Sequence, residues 1–149
     1  MATILFVDDF PLGLAYGRFD LEDDASPLRL ALSNTAPGSE SSNPTTDGNG
    51  TLGNVSELDS GSYTNLDAPW ILTHADALSN GSWTLTVTDD TITASGTAST
   101  FQYIYVYQYD GSNDYLIGVF DYGSGLQLNS GESLELDFTG ALITLANPA

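Results

Sequence analysis

The side chains able to do chemistry in this chain are one-sided: twenty Asp and Glu, one His, two Arg, no Lys and no Cys. A hydrolytic triad needs a base that takes a proton near neutral pH, which leaves His74, in the run Ile71-Leu72-Thr73-His74-Ala75-Asp76, as the sole histidine candidate. Its neighbours Thr73 and Asp76 are too close in sequence to describe a catalytic geometry, and no Gly-x-Ser-x-Gly turn presents a nucleophile. His74 therefore reads as structural or merely exposed. Paired carboxylates can cleave glycosides, but among twenty acids some pair falls within reach by accident, so pairing alone assigns nothing. The lack of Cys removes thiolate nucleophiles, disulfides and Cys-based metal sites, and the lack of Lys and of a Gly-rich phosphate loop leaves phosphate chemistry without a seat. No catalytic residue and no cofactor is assigned, and the chain is not expected to be an enzyme.

Calcium is the cation that suits dense oxygen ligands. Two stretches offer them: Asp110-Gly111-Ser112-Asn113-Asp114 and Asp20-Leu21-Glu22-Asp23-Asp24. The first lacks the spacing and the distal Glu of an EF-hand loop, and its composition is what a hairpin turn requires, so no metal ligand is assigned. Tyr103, Tyr105 and Tyr107 fall on one face of a strand with Phe101. Such a ladder packs a core or a subunit interface, or offers a stacking platform to a sugar.

These groups must be positioned by strands. Leu28, Leu30 and Leu32 alternate with Arg29, Ala31 and Ser33, the pattern of a strand with one buried face. Trp83, Leu85 and Val87 alternate with threonines, and Thr91 to Ser95 resumes after Asp89-Asp90, which predicts a hairpin. Phe101 to Tyr109 carries apolar groups on both faces and is expected at the centre of a sheet, with a hairpin loop at 110–114 and an antiparallel return over Tyr115 to Tyr122. Leu134, Leu136 and Phe138 alternate with Ser133, Glu135 and Asp137, and a last run follows Gly140. Residues 33–54 are nearly all Ser, Asn, Thr, Gly and Pro, a long surface loop by composition. Short strands with Gly, Asn and Asp between them predict an all-β fold, an antiparallel β-sandwich of immunoglobulin-like or jelly-roll type, over residues 27–149. The sequons Asn54-Val55-Ser56 and Asn80-Gly81-Ser82 read as turn residues.

Residues 1–26 differ. Ile4, Leu5, Phe6, Val7 and Phe10 crowd into the first ten positions, where domains are usually polar and frayed. Asp8 or Asp9 can cap a short helix with Pro11 in its first turn, and Gly13 and Gly17 limit it to about two turns. The segment is read as an arm, and those five apolar residues as an assembly interface, with packing onto the chain's own domain as the other use for them. The arm meets Asp8 and Asp9 after six residues and has no basic flank, so neither a secretory signal nor a membrane span is expected there.

The chain has 149 residues, 41% hydrophobic, with a net charge of −18: one domain's length, and apolar enough to fold despite the charge. With two cations in all, its surface repels nucleic acid and anionic lipid, so neither is an expected partner.

Three stretches also carry a resemblance. LRLALSNTAP at 28–37, preceded by FVDDFPLGLAYG at 6–17, joins FQYIYVYQYD at 101–110 and YLIGVFDYGSGLQLNSGESLELDFTGALITLA at 115–146. Together they resemble a family of small virion proteins of tailed bacteriophages. In that family an N-terminal arm precedes a strand ending in an N-T-A-P-like turn, and the C-terminal half contains an L-I-G-x-x-D-Y-G strand and a closing hairpin turned at G-E or G-D. Here those positions are Leu116, Ile117, Gly118, Asp121, Tyr122, Gly123, Gly131 and Glu132. Residues 38–82 depart from the family pattern. The resemblance implies a head decoration or cement protein on the outer capsid surface, partnered by the major capsid protein and by copies of itself in a trimer or other symmetric oligomer, with no enzymatic residues to transfer. The alternative is a tail-fibre or adhesin module that binds glycan through Tyr and Trp with nearby Asp and Asn.

Overall fold

The computed structural model of the chain describes residues 3–22, 26–37, 63–64, 70–96 and 98–146. Its elements in chain order are β1 (Leu5–Phe6), α1 (Phe10–Ala15), β2 (Leu28–Ser33), β3 (Tyr63–Thr64), β4 (Trp70–Ile71), β5 (His74–Ser79), β6 (Ser82–Val87), β7 (Asp90–Ala94), β8 (Phe101–Tyr109), β9 (Asp114–Leu126), β10 (Ser133–Leu136) and β11 (Ala141–Ala146). The strands form three open sheets, in the orders β1-β9-β8-β2-β4, β10-β7-β3 and β11-β6-β5, and every pairing is antiparallel. The mostly-β, antiparallel character read from the alternation is what the chain adopts.

β8 lies at the centre of the five-stranded sheet because it has apolar groups for both faces: Tyr105 and Tyr107 on one, Ile104 and Val106 on the other, all buried. Its hairpin with β9 turns at 110–113, where the Asp110 carboxylate accepts from the backbone N–H groups of Ser112 and Asn113 at 2.8 and 2.7 Å. The neighbouring β2 departs from the single buried face that its alternation suggests. Ala31 and Ser33 are buried as well as the leucines, because β2 is covered on both sides and small side chains fill its second face.

The hairpin expected over residues 83–95 does not form. β6 pairs with β5 and β11, whereas β7 pairs with β10 and β3. The hairpin belongs instead to β5 and β6, which turn at Asn80 (φ 50°) and Gly81 (φ 76°), the two consecutive left-handed residues that match the twist of paired strands. Asp89-Asp90 supplies no such residue, so the chain runs on from one sheet into another at 88–89. The return path bends at the same level, between β10 and β11, and the Asp89 carboxylate ties the two bends by accepting from the Phe138 backbone N–H at 2.7 Å. Each long path thus pairs with the other on both sides of the bend, in a different sheet each time.

Buried side chains from β2 and from β6 through β11 form one hydrophobic cluster, which also takes in Val7, Phe10 and Leu21 from the N-terminal segment. Of the expected loop at 33–54, Ser33 ends β2 and residues 38–54 lie outside the described residues, as does the first sequon.

Candidate interaction site

The N-terminal segment is held by a small set of contacts. Leu5 and Phe6 pair with Val119 and Gly118 at the edge of the five-stranded sheet, and the Val7 N–H donates to the Ile117 carbonyl at 3.1 Å. Gly118 makes this possible. A Cβ there would lie 2.7 Å from the end of the Ile4 side chain and 2.8 Å from the Leu5 carbonyl oxygen, closer than atoms tolerate. Helix α1 follows with Asp9 at its N-cap and Pro11 in its first turn. The Asp9 carboxylate accepts from the Arg18 guanidinium at 3.0 Å, closing the segment back on itself.

The five apolar residues of the arm divide between two directions. Phe10 and Val7 are buried in the chain's own core, and Ile4 is half-buried over Gly118. The Phe10 ring stacks on Phe6 with centroids 5.0 Å apart and meets Phe19 edge-on at 5.1 Å. Leu5 and Phe6 remain 54% and 43% exposed on an edge strand. Beside them opens a groove of about 350 Å³, bounded by Ile4 and Phe6 on one side and by Phe138 and Leu142 on the other, with Phe120 also in its wall. Asp137 stands at this groove, but its carboxylate is taken by the backbone N–H of Thr139 at 2.9 Å and by the Thr139 hydroxyl. Those bonds hold it below the ordinary carboxylate value, the hydroxyl contributing most. Thr3, Thr139 and Thr144 also line the groove, so its wall is mixed, polar beside apolar.

The residues with chemical potential are mostly occupied. His74 is buried, its Nε2 has no hydrogen-bond partner among the described residues, and its Nδ1 lies 3.5 Å from the Leu72 carbonyl. Tyr105 and Tyr107 are buried, the Tyr105 hydroxyl donating to the Thr35 carbonyl at 2.8 Å, and Tyr103 is partly buried, so of the ladder Tyr105 and Tyr107 offer no open face to a sugar. Asp110 is spent on its own turn, where the Asn113 and then the Ser112 N–H lower its pKa. Burial raises the pKa of Asp114, with the Arg29 charge opposing it. Among the described residues no three His, Asp or Glu side chains converge as metal ligands, and no helix is long and apolar enough to cross a membrane. Asp23 and Asp24 lie outside the described residues.

Both cations of the chain are absorbed internally. Arg18 pairs with Asp9 and lies over the rings of Tyr16 and Tyr115, at 5.5 and 5.9 Å. Arg29, only 16% exposed, lies 4.3 Å over the Tyr109 ring with Asp114 at 4.0 Å. What the molecule offers outward is either acidic or uncharged.

No family model, curated protein or solved structure matches the chain. The positions that carried the resemblance in the sequence have clear local work. Gly118 seats the arm. Asp121 accepts from the Gly123 N–H at 2.7 Å and from Gln102 Nε2 at 3.0 Å, organising an irregular stretch in β9 opposite Phe101–Tyr103. Glu132 closes its turn by accepting from the backbone and side chain of Asn129, at 2.7 and 3.1 Å. Asn34 donates to the Thr100 carbonyl at 2.7 Å. They are builders of turns and contacts.

Sequence reasoning missed Gln108. Fully buried in β8, its amide accepts from the Asp20 N–H at 2.9 Å and donates to the carbonyls of Asp20 and of Ser26, the latter at 2.7 Å, pinning the acidic segment at both ends. Two amides, Gln102 and Gln108, stand within this aromatic strand, and they were the available signal, since a buried amide needs partners.

Proposed function

We propose that the chain is a non-enzymatic structural protein of a tailed-phage virion, a decoration or cement protein that binds the major capsid protein on the outer surface of the head and stabilises the shell. The observation that carries this reading is the seating of the arm. Gly118, part of the phage-like L-I-G motif, lets an edge strand lie against β9 with much of Leu5 and Phe6 exposed to solvent beside a groove of mixed lining. An edge strand with exposed large apolar residues is a template for a neighbouring chain, and burying such side chains contributes about 1.5–3 kcal/mol each. The absorption of both arginines suits a protein that stays off nucleic acid. We read the three sheets as the layers of an antiparallel β-sandwich of immunoglobulin-like or jelly-roll type; the single core to which all of them contribute supports this.

The test is incorporation of the double variant Leu5→Asp, Phe6→Asp into particles lacking the native protein. Leu5 is 54% exposed and Phe6 43%, so the variant should stay folded, with a loss of about 0.5–1.5 kcal/mol from the Phe6–Phe10 stack, and yet fail to bind the shell. Full occupancy by the variant would refute the role given to the arm.

A further inference from the structure

The groove beside the arm joins an apolar trough to a fixed anion. Phe6 comes from the arm, Phe120, Phe138 and Leu142 from the edge of the core, and Asp137 is the one ionisable group among the described residues that line it. The Phe6 ring has one face stacked on Phe10, so its exposed surface is the other face and the ring edge. The Asp137 carboxylate is set to offer a single oxygen. Thr139 donates to Oδ1 twice, from its backbone N–H at 2.9 Å and from its hydroxyl, which holds the group in one orientation. Oδ2 accepts no hydrogen bond among the described residues. The same bonds hold its pKa down, so the carboxylate is ionised at neutral pH.

Charge and geometry together select the occupant. A fixed carboxylate beside aromatic and aliphatic walls suits a cation carried on an apolar stem, and the net charge of −18 draws cations to the surface. An arginine fork needs both carboxylate oxygens for its bidentate match, and here Thr139 holds one of them. An ammonium is a point charge that one oxygen satisfies, and the hydroxyls of Thr3, Thr139 and Thr144 at the groove are acceptors for its other hydrogens. A copy of the chain cannot supply this group, because the chain has no lysine and both of its arginines are engaged elsewhere. We infer that the groove receives a lysine side chain of a different, partner protein docked along β1, with its four-carbon stem on Phe6, Phe138 and Leu142 and its ammonium on Asp137 Oδ2. This rests on the reading of the arm as a docking edge and names what the partner brings to it.

The experiment titrates the full chain with three probes and follows the NMR signals of Phe6, Thr139 and Leu142. The probes are Nα-acetyl-lysine amide, its arginine counterpart, and its norleucine counterpart, which keeps the four-carbon stem without the ammonium. The expected result is a set of shifts confined to the groove, with the lysine probe several-fold tighter than either of the others. Its advantage over norleucine should vanish in Asp137→Asn, whose amide oxygen still accepts from Thr139, with a thermal melt to show that the fold is kept. The comparison of probes on the native chain needs no variant, so it decides the matter even if Asp137→Asn misfolds. Equal binding of lysine and norleucine, a preference for arginine, or no groove shifts up to about 0.1 M probe, where the Debye length is still about 10 Å, would overturn the proposal. A preference for lysine together with full shell occupancy by the Leu5→Asp, Phe6→Asp variant would uphold the lysine site and refute the role of the arm. Loss of shell binding by that variant with no preference for lysine would overturn the lysine site alone.

Discussion

Substituting Gly118 by Ala tests whether the arm is seated as described. The added methyl would meet the Ile4 side chain at 2.7 Å and the Leu5 carbonyl oxygen at 2.8 Å. Ile4 can rotate away, but the Leu5 oxygen is backbone, held by the pairing of β1 with β9, so β1 itself must move. Overpacking of this kind costs about 1–3 kcal/mol, offset by about 0.4–1 kcal/mol from the lower entropy of the unfolded Ala chain, which leaves about 1–2 kcal/mol. For a chain of this size that corresponds to a fall in Tm of about 2–8 °C by differential scanning calorimetry. The decisive comparison is the same substitution in a chain lacking residues 1–7. There the clashing atoms are gone, and Gly118→Ala should be neutral or slightly stabilising. An equal loss in both backgrounds would show that Gly118 is needed for something other than the arm, and no loss in the full chain would show that the arm does not lie against β9.

Asp110, Asp121 and Asp137 each have a pKa lowered by hydrogen bonds from their own turns or a neighbour, so their stabilisation is complete above the unfolded value near 3.8 and is lost as pH falls through the lower folded values. Asp110→Asn should therefore be less stable than the native chain at pH 7 in urea titrations, with the difference shrinking as pH falls below the unfolded value; a difference independent of pH would contradict the assignment. His74→Leu removes a buried nitrogen that has no partner and should leave Tm unchanged or raise it, whereas a loss above about 2 kcal/mol would mean that the ring is making a bond of its own. A calcium chelator should leave the melt unchanged, because a site occupied at a hundredfold its Kd would add about 2.7 kcal/mol and its removal would be plain.

The strands were legible because period-two alternation is local: 28–33, 82–87 and 101–109 stand out without reference to anything else, and the 110–113 turn announces itself through Asp110 and Gly111. Partner choice was not local. Asp89-Asp90 looked like a turn between two alternating runs, but nothing in the sequence showed that Phe138 would bring the second bend alongside it. Asn80-Gly81 was the stronger hairpin signal; it was read as a turn, but not as the one that joins two paired strands. The arm's apolar residues were visible as a group, yet their division into buried Val7 and Phe10 and exposed Leu5 and Phe6 depends on which face of β9 each meets, and so on Gly118, more than a hundred residues away.

Whether this chain decorates a capsid can be read from its copy number in purified virions, measured as band intensity or peptide signal against the major capsid protein. A decoration protein should be present at a simple fraction of the capsid protein's abundance, fixed by the symmetry of the shell. A few copies per particle, or none, would contradict it, and a few copies confined to the tail would point to the fibre or adhesin alternative.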